Sequence, residues 1–214
     1  MTPFQRLFST LTNPWVATIY WGFIAISFIY FDLPVAKYLH QLDLRHNFPL
    51  LNWLTKLGIG GIYFVGFFLL GLFFRYVYPK KQWEYKAWFL WFCVVIPSTI
   101  CLFLKVTLGR ARPGLYFDDQ LYGFYWLQKN APFWSFPSGH TTNIMGLVFG
   151  LSIIFPRFGY YFIVPGFCIT LTRVLLTHHY LSDVLAAAYL AMLEIGLFYI
   201  WLKRKYWLIA RTCY

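Results

Sequence analysis

Residues 87–104 of the chain read AWFLWFCVVIPSTICLFL and contain no formally charged side chain before Lys105. A helix needs about 20 mostly apolar residues to cross the hydrocarbon core of a bilayer, so this stretch predicts a transmembrane helix over about 87–107. In lipid, each backbone polar group has to be satisfied by protein, which a helix achieves within its own segment. The stretch therefore favours an all-α membrane protein.

Similar apolar runs lie on both sides of this stretch. The region from His140 to Leu176 is too long for one helix, and Pro156, Arg157 and Gly159 interrupt it, so we divide it there. The predicted spans are about 14–31, 57–78, 87–107, 140–156, 158–178 and 182–202. The alternating ten-residue segments of a membrane β-barrel are absent, as is any internal repeat. The sequence thus predicts one domain over 1–214, an integral membrane bundle of six transmembrane helices.

The composition argues against two other classes of protein, soluble globular domains and disordered chains. The chain has 214 residues, of which 60% are hydrophobic and 12% charged, about half the charged fraction of a soluble domain. Disordered chains are poor in aromatic residues, whereas this one carries 24 Phe, 17 Tyr and 10 Trp. Its basic residues are spread between apolar runs and form no continuous stripe, so we expect no nucleic-acid partner. The expected surroundings are the lipid bilayer.

The distribution of positive charge predicts the orientation. Six spans place both termini on one side, which then holds ten of the 18 Lys and Arg residues. These ten are Arg6, Arg75, Lys80, Lys81, Lys86, Arg157, Lys203, Arg204, Lys205 and Arg211. Four of the other eight belong to the motifs described next, which leaves a ratio of ten to four. Cytoplasmic loops are rich in Lys and Arg, so we expect cytoplasmic termini, external loops at 32–56 and 110–139, and an inner-membrane location with a periplasm-facing site.

Ionisable residues gather at the external ends of three predicted helices. The third span ends in KVTLGRARP (105–113), the fourth opens with FPSGHTTN (136–143), and the fifth ends in TRVLLTHHYLSD (172–183). Charged groups at membrane depth are costly, so each is a candidate for function. Their shared location predicts one site.

The cations among these residues predict phosphate binding. Arg and Lys side chains pair with phosphate oxygens, and a helix N-terminus attracts an anion. We assign phosphate binding to five residues, namely Lys105, Arg112, Ser138, Gly139 and Arg173. Ser138 can cap the fourth helix, and Gly139 permits close approach of the backbone to the ligand.

Two histidines and an aspartate suit a two-step displacement. His179 and Asp183 are four residues apart, so on a continuous helix the carboxylate can accept a hydrogen bond from one ring nitrogen and leave the other free to attack phosphorus. His140 would protonate the leaving oxygen and then activate water. Arg173 and His179 do not share a face of an ideal helix, so we expect the helix to end or distort near Thr177, or Arg173 to reach around it.

These segments resemble a known signature. The pattern K-x6-R-P from Lys105 to Pro113, P-S-G-H from Pro137 to His140, and R-x5-H-x3-D from Arg173 to Asp183 is similar to that of the type 2 phosphatidic acid phosphatase family, which vanadium haloperoxidases share. The resemblance implies a six-helix membrane phosphatase that needs no metal or other cofactor. It also implies a phosphorylated histidine at 179, oriented by Asp183, and a general acid at His140.

Four further polar residues are open to interpretation. We interpret Arg110 as a solvated or lipid-facing charge, with a supporting phosphate role as the alternative. We interpret His178 as structural. Asn143 either orients His140 or bonds a neighbouring helix, and Glu194 either bonds a polar partner in the bundle or touches a substrate path.

The leading hypothesis is a membrane phosphatase that removes the terminal phosphate of a lipid headgroup. Phosphatidylglycerophosphate, phosphatidic acid, undecaprenyl diphosphate and lipid A are the candidate substrates. A transporter or channel is the alternative, although its charges would be expected to step through the bilayer. A non-catalytic protein that binds lipid phosphates is a further alternative. The histidines lack the spacing of a haem or zinc site, so we expect no metal.

Overall fold

The computed structural model describes residues 1–205, so Arg211 of the predicted cytoplasmic side lies outside the described residues. Over 1–205 the chain forms eleven α-helices, and the longest connection between them is the loop from α8 to α9. They are α1 (Pro3–Leu11), α2 (Pro14–Ile26), α3 (Asp32–Leu42), α4 (Leu44–Asn47), α5 (Pro49–Lys56), α6 (Gly60–Leu72), α7 (Lys81–Leu108), α8 (Pro113–Asp119), α9 (Gly139–Ile154), α10 (Gly159–Leu175) and α11 (Leu181–Arg204). The predicted all-α class is confirmed.

Within residues 1–205, five helical segments are long and apolar enough to cross a membrane. They are Pro14–Leu42, Pro49–Val77, Lys81–Leu108, Pro156–Leu175 and Leu181–Arg204. The remaining predicted span corresponds to α9, which has 16 residues and rises about 24 Å at 1.5 Å per residue. That is shorter than a hydrocarbon core of about 30 Å, so a multi-pass membrane protein is supported while the count of six stays a prediction.

The first two segments are longer than predicted. A π-helical turn over Ser27–Phe31 joins α2 to α3, so the first helix continues through Asp32 to Leu42 instead of ending at residue 31. The prediction ended there because a carboxylate usually marks the end of a span. Asp32 is buried and paired, which lets the helix continue past it.

Helix α9 lies at the centre of the bundle and packs against α7, α10 and α11. Small residues permit this packing: a methyl group at Gly146 would overlap the backbone oxygen of Cys93 on α7. The core around α9 includes Phe149, Met192 and Ile195. Because the N-terminus of α9 carries the P-S-G-H motif, its central position brings that motif between the other two motifs.

Candidate active site

Three segments meet at one end of the bundle: the C-terminus of α7 with its following loop, the N-terminus of α9, and the turn between α10 and α11. Gly109 follows α7 in a left-handed conformation (φ 57°), and Thr177 follows the end of α10 with φ 54°. The predicted break near Thr177 is therefore confirmed. It folds the chain back so that the backbone N–H of His179 donates to the carbonyl oxygen of Arg173 over 3.2 Å.

His179 is held at Nδ1 by a backbone carbonyl. Its Nδ1 lies 2.8 Å from the carbonyl oxygen of Ser135, which can only accept, so Nδ1 carries the proton and Nε2 keeps its lone pair. The ring is 2% exposed. Burial lowers the pKa of His179 well below its ordinary value, and the charges of Lys105 and Arg173 lower it further against the opposing effect of Asp183. His179 is therefore a neutral imidazole with Nε2 available.

Asp183 supports this arrangement, but it does not share a continuous helix with His179. Helix α11 begins at Leu181, so His179 precedes the helix and its Nδ1 lies 3.6 Å from Asp183 Oδ2. The same oxygen accepts hydrogen bonds from Ser135 Oγ at 2.6 Å and from the backbone N–H of Tyr180 at 2.9 Å. Asp183 thus fixes the two residues that flank the imidazole.

Arg110 is neither solvated nor lipid-facing, so that interpretation was wrong. The side chain is 0% exposed and makes ion pairs with two carboxylates, Asp183 through Nη1 and Asp32 through Nη2, the latter at 2.7 Å. The loop that follows α7 turns inward at this point, because Arg110 pairs with Phe124 in an isolated antiparallel bridge.

The three predicted phosphate-binding cations surround the site with donors to spare. Lys105 is buried and donates from Nζ to the carbonyl oxygen of Trp134 at 2.6 Å, and Arg173 donates from Nη1 to Thr55 Oγ1 at 2.9 Å. The Nε atoms of Arg112 and Arg173 are buried and have no hydrogen-bond partner among the described residues. Buried guanidinium donors normally have partners, so these orphaned N–H groups indicate a place for an anion.

Ser138 and Gly139 form the N-terminus of α9 as predicted. Ser138 is the N-cap residue, and its Oγ accepts from the backbone N–H and the hydroxyl of Thr141. A methyl group at Gly139 would lie 3.4 Å from Lys105 Cε, so the start of the helix faces that lysine closely. A positive helix end and a lysine thus face the same space.

His140 follows directly on α9 and packs against a glycine in the turn after α5. A methyl group at Gly58 would lie 2.7 Å from His140 Cδ2, so only glycine leaves room for the ring. Lys105, Arg112 and Arg173 all act electrostatically on His140. The structure therefore places His140 beside the same three cations.

Asn143 bonds neighbouring helices, which resolves its two alternatives. Its Oδ1 accepts from Ser98 Oγ at 2.6 Å, and its Nδ2 donates to the carbonyl oxygen of Gly58 at 3.1 Å. By holding Gly58 it also fixes the wall against which His140 packs. Glu194 differs from expectation, because its Oε2 is buried and no residue within 1–205 forms a hydrogen bond to it.

His178 points away from His179 towards a cavity of about 440 Å³. Its Nε2 accepts a hydrogen bond from Arg45 Nη2 at 3.0 Å. Burial and the charges of Arg173 and Arg45 lower the pKa of His178 to about 3, so the ring is a neutral acceptor. Arg112 also lines the cavity, which therefore adjoins the group of cations.

Four residues at or behind the site were missed from the sequence: Asp32, Arg45, Thr55 and Ser135. Asp32 carries a usable signal, because it follows the apolar run FIYF within reach of a membrane span. Ser135 contributes a backbone carbonyl, which no residue pattern reveals. Among residues 1–205, no group of three or more His, Cys, Asp or Glu side chains is arranged to hold a metal ion.

The assembled groups have the chemistry of phosphoryl transfer. A neutral imidazole with a fixed tautomer, a second histidine and three cations converge beside a helix N-terminus. Such a set can stabilise the charge on three phosphate oxygens while one nitrogen attacks phosphorus.

Comparison with known proteins agrees with this chemistry. The chain is 31% identical over 175 residues to a lipid A 1-phosphatase of Rhizobium etli, covering 76% of this chain and 73% of that protein. It is 29% identical over 175 residues to a lipid A 1-phosphatase of Rhizobium johnstonii, covering 76% and 70%. No solved structure matches the chain. The family model of the PAP2 superfamily matches residues 86–207, and the chain therefore belongs to the PAP2 superfamily.

Proposed function

We propose that the protein is an integral membrane phosphatase that hydrolyses the terminal phosphate of a lipid headgroup. The observation that carries this proposal is the group of cations with orphaned buried donors beside His179, whose Nδ1 is held by the Ser135 carbonyl. The apolar helices supply the environment in which a lipid substrate lies. Two relatives are named lipid A 1-phosphatases, so the sugar-linked phosphate of lipid A is the first substrate to test.

The first chemical step transfers the phosphoryl group to the protein. The lone pair of His179 Nε2 forms a bond to phosphorus in line with the leaving group, and the bond between phosphorus and the lipid oxygen breaks. His140 donates its proton to that oxygen, which leaves as an alcohol. The bound phosphate dianion offsets the surrounding positive charge and so favours the protonated form of His140.

The second step regenerates the protein. His140, now neutral, accepts a proton from water while the water oxygen forms a bond to phosphorus. The bond between phosphorus and Nε2 breaks, its electron pair returns to His179, and inorganic phosphate leaves. Lys105, Arg112 and Arg173 stabilise the phosphate oxygens in both steps, so the scheme requires no metal ion.

The proposed orientation places this site on the external face of the inner membrane. The site lies at the C-terminal end of α7, and the excess of Lys and Arg lies at the opposite ends of the helices. A substrate at this level enters from the outer leaflet, with its phosphate at the cations and its chains in lipid. A cysteine introduced at Leu127, which is 75% exposed, would report this face through labelling of intact cells by a membrane-impermeant thiol reagent.

The function is tested by phosphate release from the detergent-purified chain. Lipid A, phosphatidic acid, phosphatidylglycerophosphate and undecaprenyl diphosphate are compared as substrates for the wild type, His179→Ala and the control His46→Ala. His46 is exposed and pairs with Asp43, which is also exposed, so the His46→Ala variant should retain activity. Release from one lipid that falls at least about 10³-fold in His179→Ala supports the proposal. Binding of lipid phosphate without release would instead identify a non-catalytic binding protein.

A further inference from the structure

A buried chain of charges extends from Asp183 to the first membrane helix. Arg110 bridges two carboxylates, with Nη1 on Asp183 and Nη2 on Asp32, and all three side chains are fully or almost fully buried. Ser182 joins the same group, since its Oγ accepts from Arg110 Nη1 at 2.7 Å and donates to Asp32. This chain of charges thus links α3, the loop after α7 and the start of α11.

Aromatic rings close the space around the guanidinium. The rings of Phe28, Tyr122, Phe124 and Tyr180 have centroids 4.5 to 5.6 Å from Arg110 Cζ. Cations are attracted to ring faces, and the rings exclude water from the ion pairs. A buried ion pair is costly to assemble and gives little net stability compared with apolar residues of the same size. Stability is therefore a weak reason for placing these charges here, and a role in the reaction is a stronger one.

We propose that Arg110 and Asp32 are positioning residues that act on His179 through Asp183 and Ser135. This inference rests on the proposed function, because it explains how the nucleophile of that reaction is held. It also adds to the site a residue of the first membrane-spanning segment, Pro14–Leu42. That residue, Asp32, lies outside residues 86–207, which the family model matches.

The two carboxylate oxygens of Asp183 accept hydrogen bonds from different partners. Arg110 occupies Oδ1, which leaves Oδ2 for the hydroxyl of Ser135 and for the backbone N–H of Tyr180. The backbone of Ser135 is tied to Arg110 as well, because its N–H donates to the Arg110 carbonyl at 3.0 Å. Ser135 then presents its own carbonyl to His179 Nδ1. Ser135 and Asp183, the two residues beside Nδ1 of the imidazole, are therefore both bonded to Arg110.

Asp32 fixes the other end of Arg110 and the start of α11. It accepts from the backbone N–H of Ser182 at 3.0 Å and from Ser27 Oγ at 3.2 Å. A carboxylate near a helix N-terminus is favourable, so Asp32 stabilises the position of the turn that carries His179. Asp32 also shares the guanidinium of Arg110 with Asp183, with one carboxylate on each Nη atom.

The charges predict opposite effects of neutral substitutions. Asp32, Arg110 and Asp183 together carry a net charge of −1, which becomes 0 in Asp32→Asn, −2 in Arg110→Gln and −1 in the double variant. The other groups that act on His179 are Lys105 and Arg173, and they are unchanged. A more positive environment disfavours the imidazolium form of His179, and a more negative one favours it. The acid limb of the pH profile of kcat/KM should therefore move to lower pH in Asp32→Asn and to higher pH in Arg110→Gln.

The test measures kcat, KM and the pH profile of phosphate release by these variants, with Asp43→Asn as the matched control. Asp43 is an exposed aspartate paired with His46, outside the chain of charges. Each single variant should lose about 10- to 100-fold in kcat with KM unchanged, the usual cost of losing an orienting partner. The double variant should recover part of that loss, with its acid limb near the wild-type position.

Folded single variants with wild-type kcat, or with limbs that do not move in opposite directions, would overturn the proposal. If the neutral variants do not remain monodisperse in detergent, Arg110→Lys keeps the charge but loses the two-pronged donor. It should lose about 10-fold in kcat with an unmoved acid limb, and wild-type kcat in this variant would also reject the proposal. Failure of the wild type to release phosphate from any lipid would instead reject the proposed function itself.

Discussion

The Nδ1 atom of His179 lies 2.8 Å from the carbonyl oxygen of Ser135. A carbonyl can only accept, so this contact alone assigns the tautomer of the imidazole. The tautomer is therefore fixed by the backbone, while the carboxylate of Asp183 lies further away, at 3.6 Å. This differs from an arrangement in which a carboxylate alone orients the ring.

This division of roles predicts a moderate defect for Asp183→Asn. Where a carboxylate alone holds a catalytic histidine, its replacement by an amide costs about 10⁴-fold because the ring adopts the wrong tautomer. Here the Ser135 carbonyl remains, so we expect a loss in kcat/KM of about 10²-fold. Steady-state phosphate release measures it. A loss of about 10⁴-fold would contradict the role given to the carbonyl, and wild-type activity would contradict the role given to Asp183.

The contact between Gly58 and His140 predicts a second effect on rate. In Gly58→Ala the added methyl group would lie 2.7 Å from the ring of His140, so the ring has to shift. Misplacing a reacting group by about 1 Å costs up to about 10²-fold, and we expect kcat to fall at least about 10-fold. Gly61→Ala is the control, because a methyl group there meets nothing within 4 Å. Equal activity of the two variants would show that Gly58 does not position His140.

Close packing of α9 on α7 predicts an effect on stability. A methyl group at Gly146 would overlap the backbone oxygen of Cys93, which cannot rotate away. Overpacking of this kind costs about 1–3 kcal/mol, so Gly146→Ala should lower the thermal unfolding midpoint in detergent. Gly22→Ala adds its methyl group to open space within a helix and should leave the midpoint unchanged or raise it. An unchanged midpoint in Gly146→Ala would contradict the packing.

The partly buried His178, next to His179, predicts how stability varies with pH. Burial and nearby arginines lower the pKa of His178 to about 3, below its ordinary value of about 6.5 in the unfolded chain. The unfolded state therefore binds more protons, so the contribution to stability is fully present above about pH 6.5 and is lost as the pH falls towards 3. Thermal midpoints of the wild type should drop between about pH 6.5 and 4, and His178→Gln should drop less steeply. Parallel curves would exclude this titration.

The sequence indicates most of the site because its motifs consist of charged residues at membrane depth. Lys105, His140 and Arg173 could be assigned to one place from helix parity alone, and the break near Thr177 follows from helix geometry. The shared face of a continuous helix considered for His179 and Asp183 is not the arrangement found, because a turn before α11 brings His179 to the carbonyl of Ser135.

What the sequence could not reveal depends on long-range burial. Arg110 and Asp32 are 78 residues apart, and each alone is typical of a charge at the end of a span. Only the fold shows that they face each other behind Asp183. The length of the first helix was misjudged for the same reason, because Asp32 ends an apolar run in the sequence but continues a helix once it is paired.

The most direct test of the account is to trap the phosphorylated intermediate. The purified protein is mixed with a lipid substrate labelled in its terminal phosphate, quenched in alkali to preserve phosphohistidine, and digested for fragment mass spectrometry. We expect labelled phosphate on residue 179, retained in His178→Gln and absent from His179→Gln. Label on His178 or on another residue, or rapid turnover in His179→Gln, would contradict it.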